Sequence, residues 1–275
     1  MNSVITLTTD FGLSDAYVAA MKGVILGINP QARLVDICHD IKSQNILQGA
    51  FILSTAYQFF PERTIHVVVV DPGVGTERRA IVLRTPSFDF VAPDNGVLSY
   101  VIAKSCPQAV RRGTPSVTIQ PPLEAVAITN QAYWRSPVSA TFHGRDIFAP
   151  VAAHLSLGVP LEKLGEAIDW LTMLPLSQPQ PTPDGGLTGK VLHIDNFGNL
   201  ITNIRESDIP QRKVEIEVGG RRIARLSRTF GDTCGLLALM GSSGHLEIAL
   251  REGNARELLH AEIGDTIKIR PSQEV

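Results

Sequence analysis

The stretch HVVVVDPGVGTERR, residues 66–79, decides the fold of this chain. It begins with a nearly continuous β-branched run at 66–70, which is the pattern of a central strand covered on both faces. It then changes abruptly to glycines and charged residues. Ligand sites of α/β sheets lie just beyond the carboxyl ends of the strands. We therefore expect a central strand whose following loop carries charged residues into a ligand site.

Strand and helix patterns alternate on both sides of this stretch. Strands are predicted at 3–8, 33–37, 80–84 and 89–92, and helices at 16–28, 46–59, 97–103 and 147–157. In the first of these helices, Val18, Met21 and Ile25 recur at helical spacing. Alternation of this kind predicts an N-terminal α/β domain with a largely parallel sheet over residues 1–174.

The pattern changes near residue 175. Four prolines in the run LPLSQPQPTPDGG predict a stiff, extended linker over 175–186. Short strand patterns then follow at 187–194, 200–204, 214–218, 222–226, 237–240, 246–250 and 266–270. The pair Gly219-Gly220 between two of them is a hairpin signal. Residues 187–275 are therefore predicted to form a small C-terminal all-β domain, a barrel or a sandwich.

Composition narrows the class of protein. Of the 275 residues, 44% are hydrophobic, enough for a sizeable core. The 25 basic and 27 acidic side chains give a net charge of -2, which argues against a nucleic-acid-coating protein, because such proteins carry a basic excess. The chain has no apolar run of about 18 residues, so no membrane span is predicted. Three cysteines without a CxxC pair predict a reducing, cytoplasmic environment.

Five motifs at predicted strand ends carry the candidate chemistry: TTDFGLSD (8–15), VDPGVGTERR (70–79), APDNG (92–96), TFHGRD (141–146) and IDNFGN (194–199). Each motif alone has a structural interpretation. The DNG run at 94–96 tolerates the left-handed geometry of turns. The DFG run at 10–12 lacks the other kinase motifs, and Gly73-x-Gly75 is only part of a dinucleotide fingerprint. Five such motifs together favour a functional site.

A divalent metal site is an alternative interpretation of the acidic residues and the histidine at these strand ends: Asp10, Asp71, Asp94, His143 and Asp146. No HxH, HxxxH or HExxH spacing is present, and Arg78 or Arg145 would compete for the carboxylates. We therefore expect neither a metal nor another cofactor.

Extended forms of the five motifs resemble those of the S-adenosyl-L-methionine (SAM) hydroxide adenosyltransferases, which are SAM hydrolases related to fluorinase and chlorinase: TTDFGLSDAYVAAMKG, VDPGVGTERR, APDNGVLSYV, TFHGRDIFAPVAAHLSLG and IDNFGNLITNI. The resemblance runs from residue 3 to about residue 270. It implies an N-terminal α/β domain, a linker and a C-terminal β-barrel. It also implies a homotrimer that holds SAM between one subunit's first domain and its neighbour's second domain.

The resemblance implies hydrolysis of SAM to adenosine and L-methionine, by attack of water at C5′ of the ribose. Asp71, Arg78 and His143 match the family's water-activating set. Methionine leaves as a neutral thioether, so the difficult step is activating water, whose pKa is about 15.7. The cationic Arg78 favours hydroxide, Asp71 can orient Arg78 and accept a hydrogen bond from the water, and His143 can hold or accept the proton. The sequence leaves open which of these groups takes it.

The resemblance also assigns binding residues in the first domain. Asp10 matches the carboxylate that binds the ribose diol, and Phe142 would lie against the reacting ribose. Asp15 matches an acidic group near the methionine ammonium. Asn95, in the APDNG motif, is a further candidate for substrate binding.

In the second domain, Asp195 matches another acidic group near the ammonium, Asn199 the amide that reads adenine, and Ser242 a serine near the methionine carboxylate. Halide-using relatives carry different residues at the positions of Asp71, His143 and Gly144, so this chain resembles the hydroxide branch. The alternative function is a SAM- or adenosine-binding module with a sensing or scaffolding role and only incidental turnover. The water-activating set favours the enzyme.

Overall fold

A computed structural model describes residues 3–109, 114–209 and 213–272. The chain divides into two compact units, Met1–Leu176 and Ser177–Val275. The exact domain boundaries at 174 and 187 stay predictions. Part of the predicted linker, Gln180–Pro181, forms a short strand that pairs with the strand Leu187–Ile194.

The first unit combines strands and helices along the chain. Its described strands are β1 (Val4–Thr9), β2 (Arg33–Cys38), β3 (Ile65–Val69), β4 (Ala80–Arg84), β5 (Asp89–Pro93), β6 (Ser116–Thr118), β7 (Glu124–Ile128), β8 (Gly165–Ala167) and β9 (Trp170–Thr172). Its described helices are α1 (Tyr17–Ile28), α2 (Ile46–Ala56), α3 (Ser99–Ser105), α4 (Ala149–Ser156) and α5 (Leu161–Leu164).

Seven of these strands form one sheet in the order β2-β1-β3-β5-β4-β7-β8. The β2-β1-β3-β5 part is parallel, and β4, β7 and β8 join it with antiparallel pairings. The predicted α/β domain is confirmed, and the valine run forms β3 inside the sheet.

Helices cover both faces of β3, because successive strand residues point to opposite faces. Val67 and Val69 pack in the cluster that includes α1 and α4 residues, whereas Val68 packs in the cluster that includes α2 and α3 residues. All five β3 residues are buried, and burying each valine contributes about 1.5–3 kcal/mol. This packing anchors the strand whose end leads into the VDPGVGTERR loop.

The second unit is built mainly of strands. They are β10 (Gln180–Pro181), β11 (Leu187–Ile194), β12 (Leu200–Arg205), β13 (Val214–Val218), β14 (Arg221–Ile223), β15 (Leu226–Ser227), β16 (Leu236–Met240), β17 (His245–Leu250) and β18 (Thr266–Pro271), with one described helix, α6 (Ala255–Leu259). The main path runs β14-β13-β18-β11-β12-β17-β16-β15, and β14 approaches β16. This nearly closed, barrel-shaped sheet confirms the predicted all-β domain and the barrel that the resemblance implied.

Local sequence patterns predicted some of the strands and helices correctly and did not predict others. Gly219 and Gly220 have φ values of +54° and +71° and connect the antiparallel strands β13 and β14, as the hairpin signal predicted. The single strand predicted at 222–226 is instead two short strands, β14 and β15. No sequence pattern predicted the short elements β6, β7, β8, β9, β10, α5 and α6. In the described part of the chain, no helix is long and apolar enough to cross a membrane.

Candidate active site

Asp71, Arg78 and His143 form one hydrogen-bonded chain. The Nε of Arg78 donates to the two carboxylate oxygens of Asp71 at 2.9 and 3.0 Å, and its Nη2 donates to Oδ2 as well. The same Nη2 lies 2.9 Å from Nδ1 of His143. The side chains of Asp71 and Arg78 are only 5% and 11% exposed. The fold thus brings together the three residues predicted to activate water, one of them 65 positions away along the chain.

Burial and the neighbouring Arg78 together favour the neutral form of His143. A guanidinium carries only N–H donors, so the 2.9 Å contact requires Nδ1 of His143 to accept. The proton of the neutral ring then lies on Nε2. Burial lowers the pKa of His143, and the Arg78 cation beside it lowers that pKa further. At neutral pH, His143 is therefore an uncharged ring whose Nε2–H is available as a hydrogen-bond donor.

A glycine shapes the loop that carries Asp71 and Arg78. Gly75 has φ +77°, in the left-handed region that non-glycine residues rarely adopt. A Cβ at this position would overlap the carbonyl oxygen of Ala140. Ala140 lies just before Phe142 and His143 in the chain. The two loops that supply the candidate catalytic residues therefore touch at a place where only glycine fits.

The TFHGRD motif leads into one turn of π-helix, Gly144–Phe148, directly after His143. Single π-helical turns are rare in proteins, and those that do occur often lie at functional sites. A Cβ on Gly144 would lie 3.2 Å from both Sδ of Met21 and the ring of Phe142. Any larger residue at position 144 would therefore push on these neighbours.

The TTDFGLSD motif lies beside Phe142. The Phe142 ring packs edge-on against Phe11 and Tyr17, with centroids 5.8 and 5.1 Å apart. The Oδ2 of Asp10 accepts the backbone N–H of Gln44 at 2.7 Å. Asp10 and Phe142, both predicted to contact the ribose, thus lie on loops joined by aromatic packing.

Two other residues predicted to bind substrate have different surroundings. The amide of Asn95 donates to the carbonyl of Val70 at 2.8 Å, and its Oδ1 accepts the N–H of Val97 at 3.2 Å. Asn95 therefore joins the loop after β5 to the loop after β3 through backbone contacts. Asp15 is exposed. Their roles in substrate binding stay predictions.

In the second unit, Asp195 organises the turn between β11 and β12. Its Oδ1 accepts the N–H groups of Phe197 and Asn199, both at 2.9 Å, and its Oδ2 accepts the Asn199 side-chain amide at 3.0 Å. Asp195 thus orients Asn199, the predicted adenine reader. Ser242 is exposed in the turn between β16 and β17.

Glu247 on β17 is a residue that the sequence analysis did not single out. Burial raises the pKa of its carboxyl group, and the nearby Asp195 raises it further. The only sequence signal was an acidic residue inside an otherwise apolar strand, LEIAL at 246–250.

Most of the carboxylates that could serve as metal ligands have arginine partners instead. Within the described ranges, no group of three or more His, Cys, Asp or Glu side chains is arranged to hold a metal ion. Three of the acidic candidates form ion pairs: Asp71 with Arg78, Asp94 with Arg79 and Asp146 with Arg145. Each pairing directs a fixed positive charge at the oxygens that a metal would need.

Comparison with known proteins identifies the family. The model of the SAM hydroxide adenosyltransferase N-terminal domain matches residues 5–165, and that of the C-terminal domain matches residues 189–268. The chain belongs to the SAM hydroxide adenosyltransferase family. The resemblance carried by the five motifs is thereby confirmed, whereas the roles of individual residues stay predictions.

Similar proteins match along nearly the whole chain. The (R)-S-adenosyl-L-methionine hydrolase of Salinispora tropica is 38% identical, over 96% of this chain and 97% of its own. A fluorinase of Nocardia brasiliensis is 27% identical, over 97% and 96%. The crystal structure of an uncharacterized conserved protein from Thermotoga maritima has a TM-score of 0.84 at 38% identity, covering 97% of this chain and 99% of that one.

Proposed function

We propose that this protein hydrolyses SAM to adenosine and L-methionine, with water attacking C5′ of the ribose. The observation that carries the proposal is the guanidinium of Arg78, held between the carboxylate of Asp71 and Nδ1 of His143. A protein that only binds SAM does not need to activate water, and so has no need of Asp71 and His143 arranged around the Arg78 cation. Relatives named as SAM hydrolases support the same reaction.

The reaction needs an activated nucleophile and no general acid. As the water oxygen bonds to C5′, the C5′–S bond breaks and its electron pair stays on sulfur, so methionine leaves uncharged. The cation of Arg78 stabilises the developing hydroxide character of the water. The Nε2–H of His143 donates to the water oxygen and orients it. Nδ1 of His143 already accepts from Arg78, and Nε2 carries the ring proton, so we assign the proton that the water loses to the carboxylate of Asp71.

The reaction is tested with purified protein and SAM in heavy-oxygen water. Adenosine and methionine should form in equal amounts, with the label in the 5′-hydroxyl of adenosine, because attack is at carbon. An absence of turnover would favour the alternative binding module. Methylthioadenosine as the main product would contradict attack by water at C5′.

Water, and not a halide, is the proposed nucleophile. A carboxylate beside the nucleophile position raises the cost of placing an anion there, and Asp71 is such a carboxylate. Gly144 offers no hydroxyl to a halide, and the contacts around it leave little room for one. Chloride or fluoride at high concentration should yield no halogenated adenosine, as measured by mass spectrometry.

We further propose a homotrimer whose sites combine residues of two subunits. Asp10 and Asp71 belong to the first compact unit, whereas Asp195, Asn199 and Ser242 belong to the second. Mixing the inactive variants Asp71→Ala and Asn199→Ala should restore part of the activity, because some sites then contain two intact halves. A fully active monomer in light scattering would contradict this assembly.

The proposed reaction uses no metal or cofactor, since Arg78 supplies the positive charge.

We propose that the protein is located in the cytoplasm. The free cysteines Cys38, Cys106 and Cys234 support a reducing compartment. Fractionation of cells that express the protein tests this location, and recovery outside the cytoplasmic fraction would contradict it.

A further inference from the structure

Asp146 is a buried carboxylate three residues after His143. Its side chain is 0% exposed. Arg145 donates to it through Nε at 2.7 Å and Nη2 at 2.9 Å, and the backbone N–H of Ser139 donates at 2.8 Å. Arg135 lies 3.5 Å away. Burial by itself raises the pKa of Asp146, but the contacts with Arg145 and Ser139 more than offset this, so the pKa is lowered and the group stays ionised.

The backbone of Asp146 closes the same segment. Its carbonyl accepts the N–H of Arg135 at 2.8 Å, and its N–H donates to the carbonyl of Phe142 at 3.2 Å. Together with the side-chain contact to Ser139, these bonds fold residues 135–142 back onto the π turn. The segment is therefore held at both ends and near its middle by one residue.

This clamped segment contacts the other catalytic loop. The carbonyl of Ala140, next to Ser139, lies against Gly75 so closely that no Cβ fits. The guanidinium of Arg145, oriented by Asp146, lies over the ring of Phe142 at 5.0 Å from its centroid. If the contacts of Asp146 with residues 135–145, here called the clamp, were to shift, both the 71–78 loop and the Phe142 ring, predicted to face the ribose, would therefore shift with them.

We propose that Asp146 is a positioning residue that keeps the 71–78 and 135–143 loops in register, so that Arg78 reaches His143. Asp146 itself contacts neither of these two side chains. The kinetic consequences rest on the proposed function, whereas the mechanical link between the loops does not.

The test compares Asp146→Asn with a matched control, Asp89→Asn. Asp89 accepts a similar two-point hydrogen bond from Arg84, at 2.7 and 2.8 Å, at the start of β5, opposite the strand ends that lead to the site. Asp146→Asn should lower kcat for SAM at least tenfold while KM changes less than threefold, and Asp89→Asn should keep kcat within twofold. Equal kcat losses in the two variants would overturn the proposal.

Hydrogen–deuterium exchange tests the mechanical link without activity. Backbone amides of residues 71–78 should exchange faster in Asp146→Asn than in the wild type or in Asp89→Asn. Faster exchange confined to residues 135–146 would overturn the proposal. If Asp146→Asn does not fold, Arg145→Gln keeps the carboxylate and weakens the clamp, and the same two outcomes apply. If the wild type shows no turnover, the proposed function fails while the exchange result still decides this inference.

Discussion

Replacing Gly75 by alanine tests whether the 71–78 and 135–143 loops, which carry the candidate catalytic residues, must touch. The new Cβ would overlap the carbonyl oxygen of Ala140, and both atoms are fixed by backbone. An ordinary contact begins at 3.4 Å, so the loops must separate by about 1 Å. Misplacement of catalytic groups by about 1 Å costs about 10²-fold in rate. We expect kcat of Gly75→Ala to fall by about 10²-fold, because Arg78 moves with its loop.

Backbone strain is a separate effect and needs its own control. Gly158 also has a positive φ, +90°, but a Cβ there meets nothing within 4 Å. Gly158→Ala therefore has the left-handed penalty of roughly 1–2 kcal/mol without the overlap. It should lower the free energy of unfolding by about that amount and leave turnover unchanged. Gly75→Ala should lose more stability than this control, since it adds the overlap to the strain.

The assay combines initial rates of adenosine formation from SAM with urea unfolding followed by circular dichroism. Rates are compared at a temperature where both variants are folded. Turnover of SAM by Gly75→Ala within threefold of the wild type would refute the requirement for contact between the loops, as would an equal loss of activity in Gly158→Ala.

Three further predictions concern Arg78, bound metal and His66. Arg78→Lys keeps the charge but not the guanidinium fork that reaches both Asp71 and His143, so hydrolysis should slow by roughly 10²–10⁴-fold in steady-state assays. Exhaustive EDTA treatment should leave activity unchanged; loss restored by Zn²⁺ or Mn²⁺ would instead assign Asp71 and His143 as metal ligands. Burial lowers the pKa of His66 from 6.5 to about 3. Because the unfolded chain binds a proton at this histidine more readily than the folded protein does, the free energy of unfolding should fall as the pH drops below 6.5, by about 2 kcal/mol at pH 5. Urea unfolding of the wild type and of His66→Phe at pH 7.5 and pH 5 measures this difference. The wild type should lose more unfolding free energy between the two pH values than the variant, and equal losses in the two proteins would contradict the prediction.

Much of the fold and the location of the candidate site could be read from local patterns. The valine run predicted β3 because only a strand covered on both faces has no polar alternation. The change to glycine and charge at Asp71 marked the end of that strand, where α/β sheets bind ligands. Gly219-Gly220 predicted its hairpin because two adjacent left-handed residues suit a tight turn. In each case, the residues that carry the signal adjoin one another in the chain.

The partners of the site residues were decided only by the tertiary structure. The family resemblance suggested Asp71, Arg78 and His143 as a set. The order of their contacts follows from Arg78 reaching Nδ1 across 65 positions, and burial together with Arg78 favours the neutral state of His143. The overlap that reserves position 75 for glycine involves Ala140, on a distant segment, and the clamp at Asp146 was not predicted. Local patterns report burial and turn chemistry, which depend on neighbouring residues. Contacts between distant loops depend on how the whole sheet and its helices pack, and no short stretch of sequence encodes that.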